Sequence, residues 1–253
     1  MSTRTLSYYE IVSNLPPDAA VTFRDVGWDE YEELLEQVGE AEHLRISFDD
    51  GVLQVMTLSA EHEKYARFFE SLMTAIRLRL HIDILSFGSA TMRKKGERKG
   101  NEPDACFYVQ TAHLIGNRLQ LDFATDPPPD IAVEVDVHHD SRNKLAIYAA
   151  LGVPEVWRFD GSALAIYLLE HDSYQESPAS LAFPNLTNRL LTNVLARVGS
   201  EGELKALMAF DEWLQRTSLS ETRRSWFPLS LITPALQASK AVPGPDHFLN
   251  SMQ

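Results

Sequence analysis

The sequence predicts an α/β domain built on a mixed β-sheet flanked by helices. Three observations carry this expectation. Short runs rich in β-formers alternate with segments of helical periodicity, a strand–helix–strand unit begins at Ile131, and Asp-Gly pairs punctuate two apolar stretches as hairpin turns.

Taken in order, "VGWDEYEELLEQVG" spaces Trp28, Tyr31, Leu34 and Leu35 as one helical face, which Gly39 stops. "LRISFDDGVLQVMT" reads as two strands joined at Asp49-Asp50-Gly51. In the next segment Ser59 is placed to cap a long helix, whose apolar stripe is Tyr65, Phe69, Leu72, Met73, Ile76 and Leu80. "DILSFGSATM" and "EPDACFYV" read as strands on either side of a basic tip. "IAVEVDV" is an apolar strand after a proline-rich approach, and Ser141 is placed to cap a helix running to Leu151, ended by Gly152 and Pro154. "EVWRFD" and "ALAIYLLE" form a second hairpin around Asp160-Gly161. Two helices close the domain, the second opening with a capping box from Ser200 to Glu203. The pattern fades near Leu219, so a domain over 1–218 is expected to be followed by a poorly structured tail over 219–253.

Composition narrows the class. The chain is 253 residues long and 44% hydrophobic, enough for one sizeable core. It has no apolar run of membrane-spanning length and no signal-peptide core in Met1–Glu10. Cys106 is the single cysteine, which excludes an internal disulfide framework and fits a reducing compartment; a cytoplasmic protein is expected, with no membrane association. There is no Gly-rich phosphate loop and no nucleophile elbow, so a nucleotide cofactor and a serine hydrolase are both excluded. A net charge of −13 argues against a general nucleic-acid binder. The exception is "MRKKGERKG", where Arg93, Lys94, Lys95, Arg98 and Lys99 oppose one glutamate. This is either a solvated hairpin tip or a local grip on phosphates.

The chemistry concentrates in "IAVEVDVHHDSRNK". Strand alternation puts Glu134 and Asp136 on one face and Val133, Val135 and Val137 on the other. A carboxylate inside a buried strand is costly unless it is paired or binds a metal. Asp104 opens the strand "EPDACFYV", so neighbouring strands would set Asp104 beside Glu134, an oxygen-rich pair suited to Mg²⁺ or Mn²⁺. Lys144 stands in the first helical turn, where the dipole disfavours a cation by roughly 0.3–1 kcal/mol. Either it snorkels to solvent or it serves the acids. Glu61 lies one turn before Tyr65, and either reaches the same site or complements the helix dipole. His138 and His139 are adjacent on a turn and point different ways, unlike a zinc pair, and read as loop residues near phosphate.

"EPDACFYV", then "PPPDIAVEVDV" and "SRNKLAIYAALGVPEVWRFDG", preceded by "RISFDDGVLQVMTLSAEHE", resemble the Uma-two family of restriction-endonuclease-like proteins, within the PD-(D/E)XK nuclease superfamily. The likeness is close from Trp28 to Asp160 and looser through the following hairpin and "LAFPNL". It implies a restriction-endonuclease-like mixed β-sheet of four to five strands, flanked by helices and carrying the site at one end. It implies Asp104 and Glu134 as metal ligands, with the backbone carbonyl of Val135 as a third. Asp136 stands where much of the superfamily has lysine, and Lys144 supplies the lysine from the following helix instead. Asp136 and Glu61 would then hold a second metal or fix the shell around the first.

The function so implied is a metal-dependent DNA endonuclease hydrolysing phosphodiester bonds, with Mg²⁺ or Mn²⁺ as cofactor and duplex DNA as substrate. Arg93, Lys94, Lys95, Arg98 and Lys99 would hold the DNA backbone, and a homodimer is expected for cutting two strands. The acidic balance supports an alternative: a catalytically degenerate nuclease fold acting as a protein-binding or dimerisation module. Glu134 and Asp136 as an acid–base pair of another hydrolase are disfavoured, because residues two apart on a strand point in parallel.

Overall fold

A computed structural model of the chain describes residues 7–39, 43–137 and 140–220. Two sheets share the molecule. The first elements are α1 (Tyr8–Val12), β1 (Ala20–Phe23), α2 (Trp28–Val38), β2 (Leu44–Asp49), β3 (Val52–Thr57) and α3 (Ala60–Leu80). The middle of the chain gives β4 (Leu85–Ser86), β5 (Met92–Lys94), β6 (Lys99–Asn101), β7 (Ala105–Tyr108), α4 (Ala112–Ile115) and β8 (Ile131–Val135). Then follow α5 (Leu145–Leu151), β9 (Glu155–Phe159), β10 (Leu164–Glu170), β11 (Ser173–Ser177), α6 (Asn188–Glu201) and α7 (Glu203–Ser220). The five-stranded sheet is antiparallel in the order β1-β3-β2-β6-β5. The six-stranded sheet is mixed, β11-β10-β9-β8-β7-β4, with β8 and β9 its parallel pair. The expected mixed sheet flanked by helices is present, with more strands than the four or five implied.

Local sequence accounts for most elements. Asp50 and Gly51 both take positive φ, 43° and 94°, as a two-residue hairpin turn requires, and Asp49 pairs with Val52 across it. Ser59 caps α3 by accepting from the His62 N–H at 3.1 Å. The stripe on α3 packs with Ile131, Val133 and Val135 of β8 and with α6 and α7 in the main core. Ala132 faces the other way, into a smaller cluster with Ile147, Tyr148 and Leu151 of α5. Glu134 shares that second face by alternation.

Four expectations need correction. Residues 83–92 are not one strand: β4 joins the mixed sheet and β5 the antiparallel one, and Gly88, at φ 55°, lies in the link between them. Ser141 does not cap a helix; its hydroxyl donates to Asp136, and a 3₁₀ turn over Arg142–Lys144 precedes α5. The Ser200–Glu203 capping box does not form, because α6 runs through Ser200 to Glu201, and Gly202, at φ 91°, separates it from α7. Finally α7 reaches Ser220, past the expected boundary; the rest of the tail, like His138 and His139, lies outside the described residues.

Gly100 marks a close approach rather than a turn. A Cβ there would stand 2.1 Å from the Tyr31 hydroxyl and 2.7 Å from its ring. Tyr31 is fully buried, stacked on Phe48, and has nowhere to retreat. Gly100→Ala is therefore expected to destabilise the protein by about 1–3 kcal/mol, measurable as a fall in the urea midpoint.

Candidate active site

The parallel pairing of β8 with β9 requires a crossover, and that crossover builds the site. The chain leaves β8 at Val135, turns through Asp136 and Ser141, and returns over the sheet as α5. Lys144 and Tyr148 are four residues apart, hence on one helical face, and both come down on Glu134. Lys144 Nζ donates to Glu134 Oε2 at 2.8 Å, and the Tyr148 hydroxyl donates to Oε1. Asn101 Nδ2, from the end of β6, reaches the same Oε1 at 3.2 Å and the Tyr148 hydroxyl at 2.6 Å. Glu134 and Lys144 are each 2% exposed. The lysine does not snorkel.

Asp104 stands beside Glu134, as expected. Ala105 pairs with Val133, so the antiparallel register sets Asp104 opposite Glu134 on the neighbouring strand. Its Oδ2 accepts the Val135 N–H at 2.7 Å, and its own N–H bonds the Val133 carbonyl at 2.9 Å. Arg45 of β2 donates its Nε to Oδ1 at 3.1 Å. His62 Nε2 lies 3.0 Å from Oδ2, at ion-pair distance but without the alignment of a good hydrogen bond.

These contacts set the protonation states. Burial alone would raise Asp104, but the His62 contact and charge, with Lys144 and Arg45, more than offset it and hold the carboxyl below its ordinary value. Burial pushes Glu134 up; Lys144 offsets part of this, and the Asp104 charge adds to it. For Lys144 burial favours the neutral amine, but Glu134 and Asp104 outweigh it and hold the ammonium protonated.

The other candidates divide. Asp136 follows β8 and is buried, but its Oδ2 accepts the Ser141 N–H and hydroxyl, both at 2.9 Å, and the Arg158 Nε. It anchors the start of the crossover. Val135 meets Asp104 through its N–H. Glu61 is exposed on α3, and its neighbour His62 is the side chain turned inward. The basic hairpin forms as expected, but its cations have protein partners: Lys94 bonds the Leu151 carbonyl at 2.8 Å, Lys95 pairs with Asp29 at 3.2 Å, Arg98 with Asp50 at 2.6 Å, and Lys99 with Asp49. Arg93 is exposed on the same hairpin. Reading the sequence for acids and lysines passed over Arg45, His62, Asn101, Tyr148 and Arg158. The inward stripe of α3, carried back from Tyr65 to residue 62, would have found His62; the others sit at positions ordinary for strands or helix faces.

The donor set fits a hard divalent cation by its chemistry: two carboxylates and, 0% exposed beside Glu134, the Asn101 amide oxygen without a hydrogen-bond partner. Among the described residues no group of three or more His, Cys, Asp or Glu side chains converges as a metal cage. Mg²⁺ does not require one, since it is commonly held by one or two carboxylates with water and phosphate oxygens completing its shell.

The mixed sheet thus sets an acid pair on neighbouring strands, with a lysine delivered onto it by the crossover. Residues 28–197, more than half of the chain, match the family described as "Uma2: Putative restriction endonuclease", and the chain belongs to that family. Among solved structures it is similar to a protein described as a putative nuclease belonging to DUF820 from Anabaena variabilis, with 16% identity and a TM-score of 0.46, covering 67% of this chain and 99% of that one. No curated protein matches it.

Two outcomes are expected of the pair itself. Lys144→Met leaves a buried carboxylate without its cation and should cost about 3–5 kcal/mol in chemical denaturation, whereas Lys144→Met combined with Glu134→Leu should cost less than the sum of the two single changes. Because Asp104 is held below its ordinary value of 3.8, its contribution to stability is complete above that value and is lost as pH falls through the depressed one. Asp104→Asn should therefore make stability less sensitive to acid below about pH 5, read from urea midpoints across that range.

Proposed function

We propose that the protein is a Mg²⁺- or Mn²⁺-dependent DNA endonuclease that hydrolyses phosphodiester bonds by a PD-(D/E)XK-type mechanism. The observation that carries this reading is the buried set of Asp104 opposite Glu134 with the Lys144 Nζ 2.8 Å from the glutamate. Family membership supports the nuclease class.

Asp104, Glu134 and the Val135 carbonyl would hold the cation. When bound, it lowers the pKa of a coordinated water and neutralises charge developing on the phosphate. Lys144 is a cation rather than a base, so its part is to orient the attacking water and meet the negative charge of the transition state. Glu134 would exchange its bond to Lys144 for the cation, which frees the ammonium for phosphate. Tyr148 and Asn101 keep the Glu134 carboxylate in one orientation, and Arg45 and His62 do the same for Asp104. His62 takes the helix contribution first expected of Glu61. Asp136, fastened to Ser141 and Arg158, fixes the turn that delivers Lys144.

Arg93, Lys94, Lys95, Arg98 and Lys99 remain the groups to hold a DNA backbone, with homodimerisation placing two sites on a duplex. The exposed pairs Lys95–Asp29 and Arg98–Asp50 contribute about 0–1 kcal/mol each, so phosphates can replace those carboxylates. Such binding should weaken steeply with salt.

Two observations favour a second reading, a catalytically silent nuclease fold that binds a protein partner or a second copy of itself. The basic hairpin is matched with the protein's own acids, and α3 and α7 expose Leu78, Leu204 and Met208 along a groove of ≈ 580 Å³.

Mn²⁺ calorimetry and plasmid nicking on the same samples separate the readings. The nuclease reading expects binding and nicking in the wild type and neither in the Asp104→Ala, Glu134→Ala double variant. Metal binding without nicking on any DNA form would favour the silent fold.

A further inference from the structure

At the acid pair, the Asn101 amide has its hydrogen bonding left half made, and its Oδ1 is the one oxygen there without a partner among the described residues. It is 0% exposed, and both recorded bonds are made by Nδ2, to Glu134 Oε1 at 3.2 Å and to the Tyr148 hydroxyl at 2.6 Å. Its Oδ1 is buried without a partner. Turning the amide over would offer Oδ1 the Tyr148 hydroxyl only by taking that donor, and the Asn101 N–H, away from Glu134 Oε1 and leaving two acceptors facing each other. An unpaired buried carbonyl costs about as much as a lost hydrogen bond, and a strand end is an expensive place to keep one unless something else meets it.

The position is specific. Asn101 ends β6, in register with Ser47 on one side and Met92 on the other, so it belongs to the antiparallel sheet. Asp104 and Glu134 belong to the mixed one. The three-residue span from Asn101 to Asp104 is where the chain passes between sheets. Asn101 thus brings an amide from the second sheet to a pair supplied by the first, its Nδ2 on Glu134 and its Oδ1 buried close by without a partner. Two carboxylates leave most of a six-coordinate shell unfilled, and an amide carbonyl is a ligand of the same hard-oxygen type.

On the reading of the site as a cation-binding nuclease centre, we infer that the Asn101 Oδ1 is a further protein ligand of that cation, either directly or through one coordinated water. Asn101 then has two functions split between the two ends of one amide. Nδ2 orients Glu134, and Oδ1 faces the ion.

The two ends can be tested separately with Mn²⁺ alone as probe, by calorimetry and by the Mn²⁺-dependent rise in melting temperature. Asn101→Leu removes both ends and fills the volume; Asn101→Asp keeps an oxygen and removes the donor; Tyr148→Phe removes the neighbouring hydroxyl and leaves Asn101 in place. Expected are a loss of affinity of roughly 10- to 100-fold for Asn101→Leu, and affinity within a few-fold of wild type, or tighter, for Asn101→Asp. Tyr148→Phe should fall between them. If Asn101→Leu does not fold, Asn101→Ser, too short to reach the ion, takes its place with the same expectation. Wild-type affinity in Asn101→Leu, or equal losses in the Leu and Asp variants, would overturn the inference and leave Asn101 as a support for Glu134 only. Absence of Mn²⁺ binding in the wild type is a different failure, of the metal reading itself, and would remove this inference with it.

Discussion

A lysine ammonium held out of water against a glutamate is the constraint on which the centre of this protein depends. Lys144 and Glu134 are each 2% exposed, and neither could be buried without the other. Their pairing ties the crossover to the strand it has just left, and so fixes how α5 lies over the mixed sheet. Around it the charges balance locally: Arg45 answers Asp104, Lys144 answers Glu134, and Arg158 answers Asp136. Replacing such pairs with apolar residues commonly costs nothing or adds stability. Their presence here is therefore better explained by chemistry that needs the charges than by the fold's need for them.

The same bookkeeping bears on the surface. A chain of net charge −13 gathers five cations on one hairpin, then faces several of them toward Asp29, Asp49 and Asp50. Those acids lie on α2 and the β2–β3 turn, so the pairs also hold the antiparallel sheet's two hairpins together. The hairpin is both a fastening and an exposed source of positive charge. On the proposed nuclease reading, phosphate would have to compete with these carboxylates for the hairpin's cations, and binding would be sensitive to salt.

Much of the site was legible from residues that break local rules. Acids interrupting β-rich runs announced Asp104 and Glu134, because a buried carboxylate needs a reason. A lysine in a first helical turn announced Lys144. What could not be read was the second sheet. Arg45 and Asn101 come from β2 and β6, and nothing in their immediate sequence says that these strands meet the mixed sheet at Asp104 and Glu134. Alternation put Asp136 on the face of Glu134, but the strand ends at Val135, and the side chain bonds Ser141 and Arg158. Glu61 is exposed, and the inward stripe of α3 begins one residue later, at His62. The missed strands β1 and β11 are edges with no fully buried residue.

The most direct test of the account is the ¹⁵N–¹H spectrum of the Lys144 ammonium at neutral pH, assigned with Lys144→Met and recorded while Mg²⁺ is added. The account predicts a slowly exchanging, protonated ammonium bonded to Glu134, whose resonance shifts as the cation draws the carboxylate away. A neutral amine, or an ammonium signal indifferent to Mg²⁺ at saturating concentration, would contradict it.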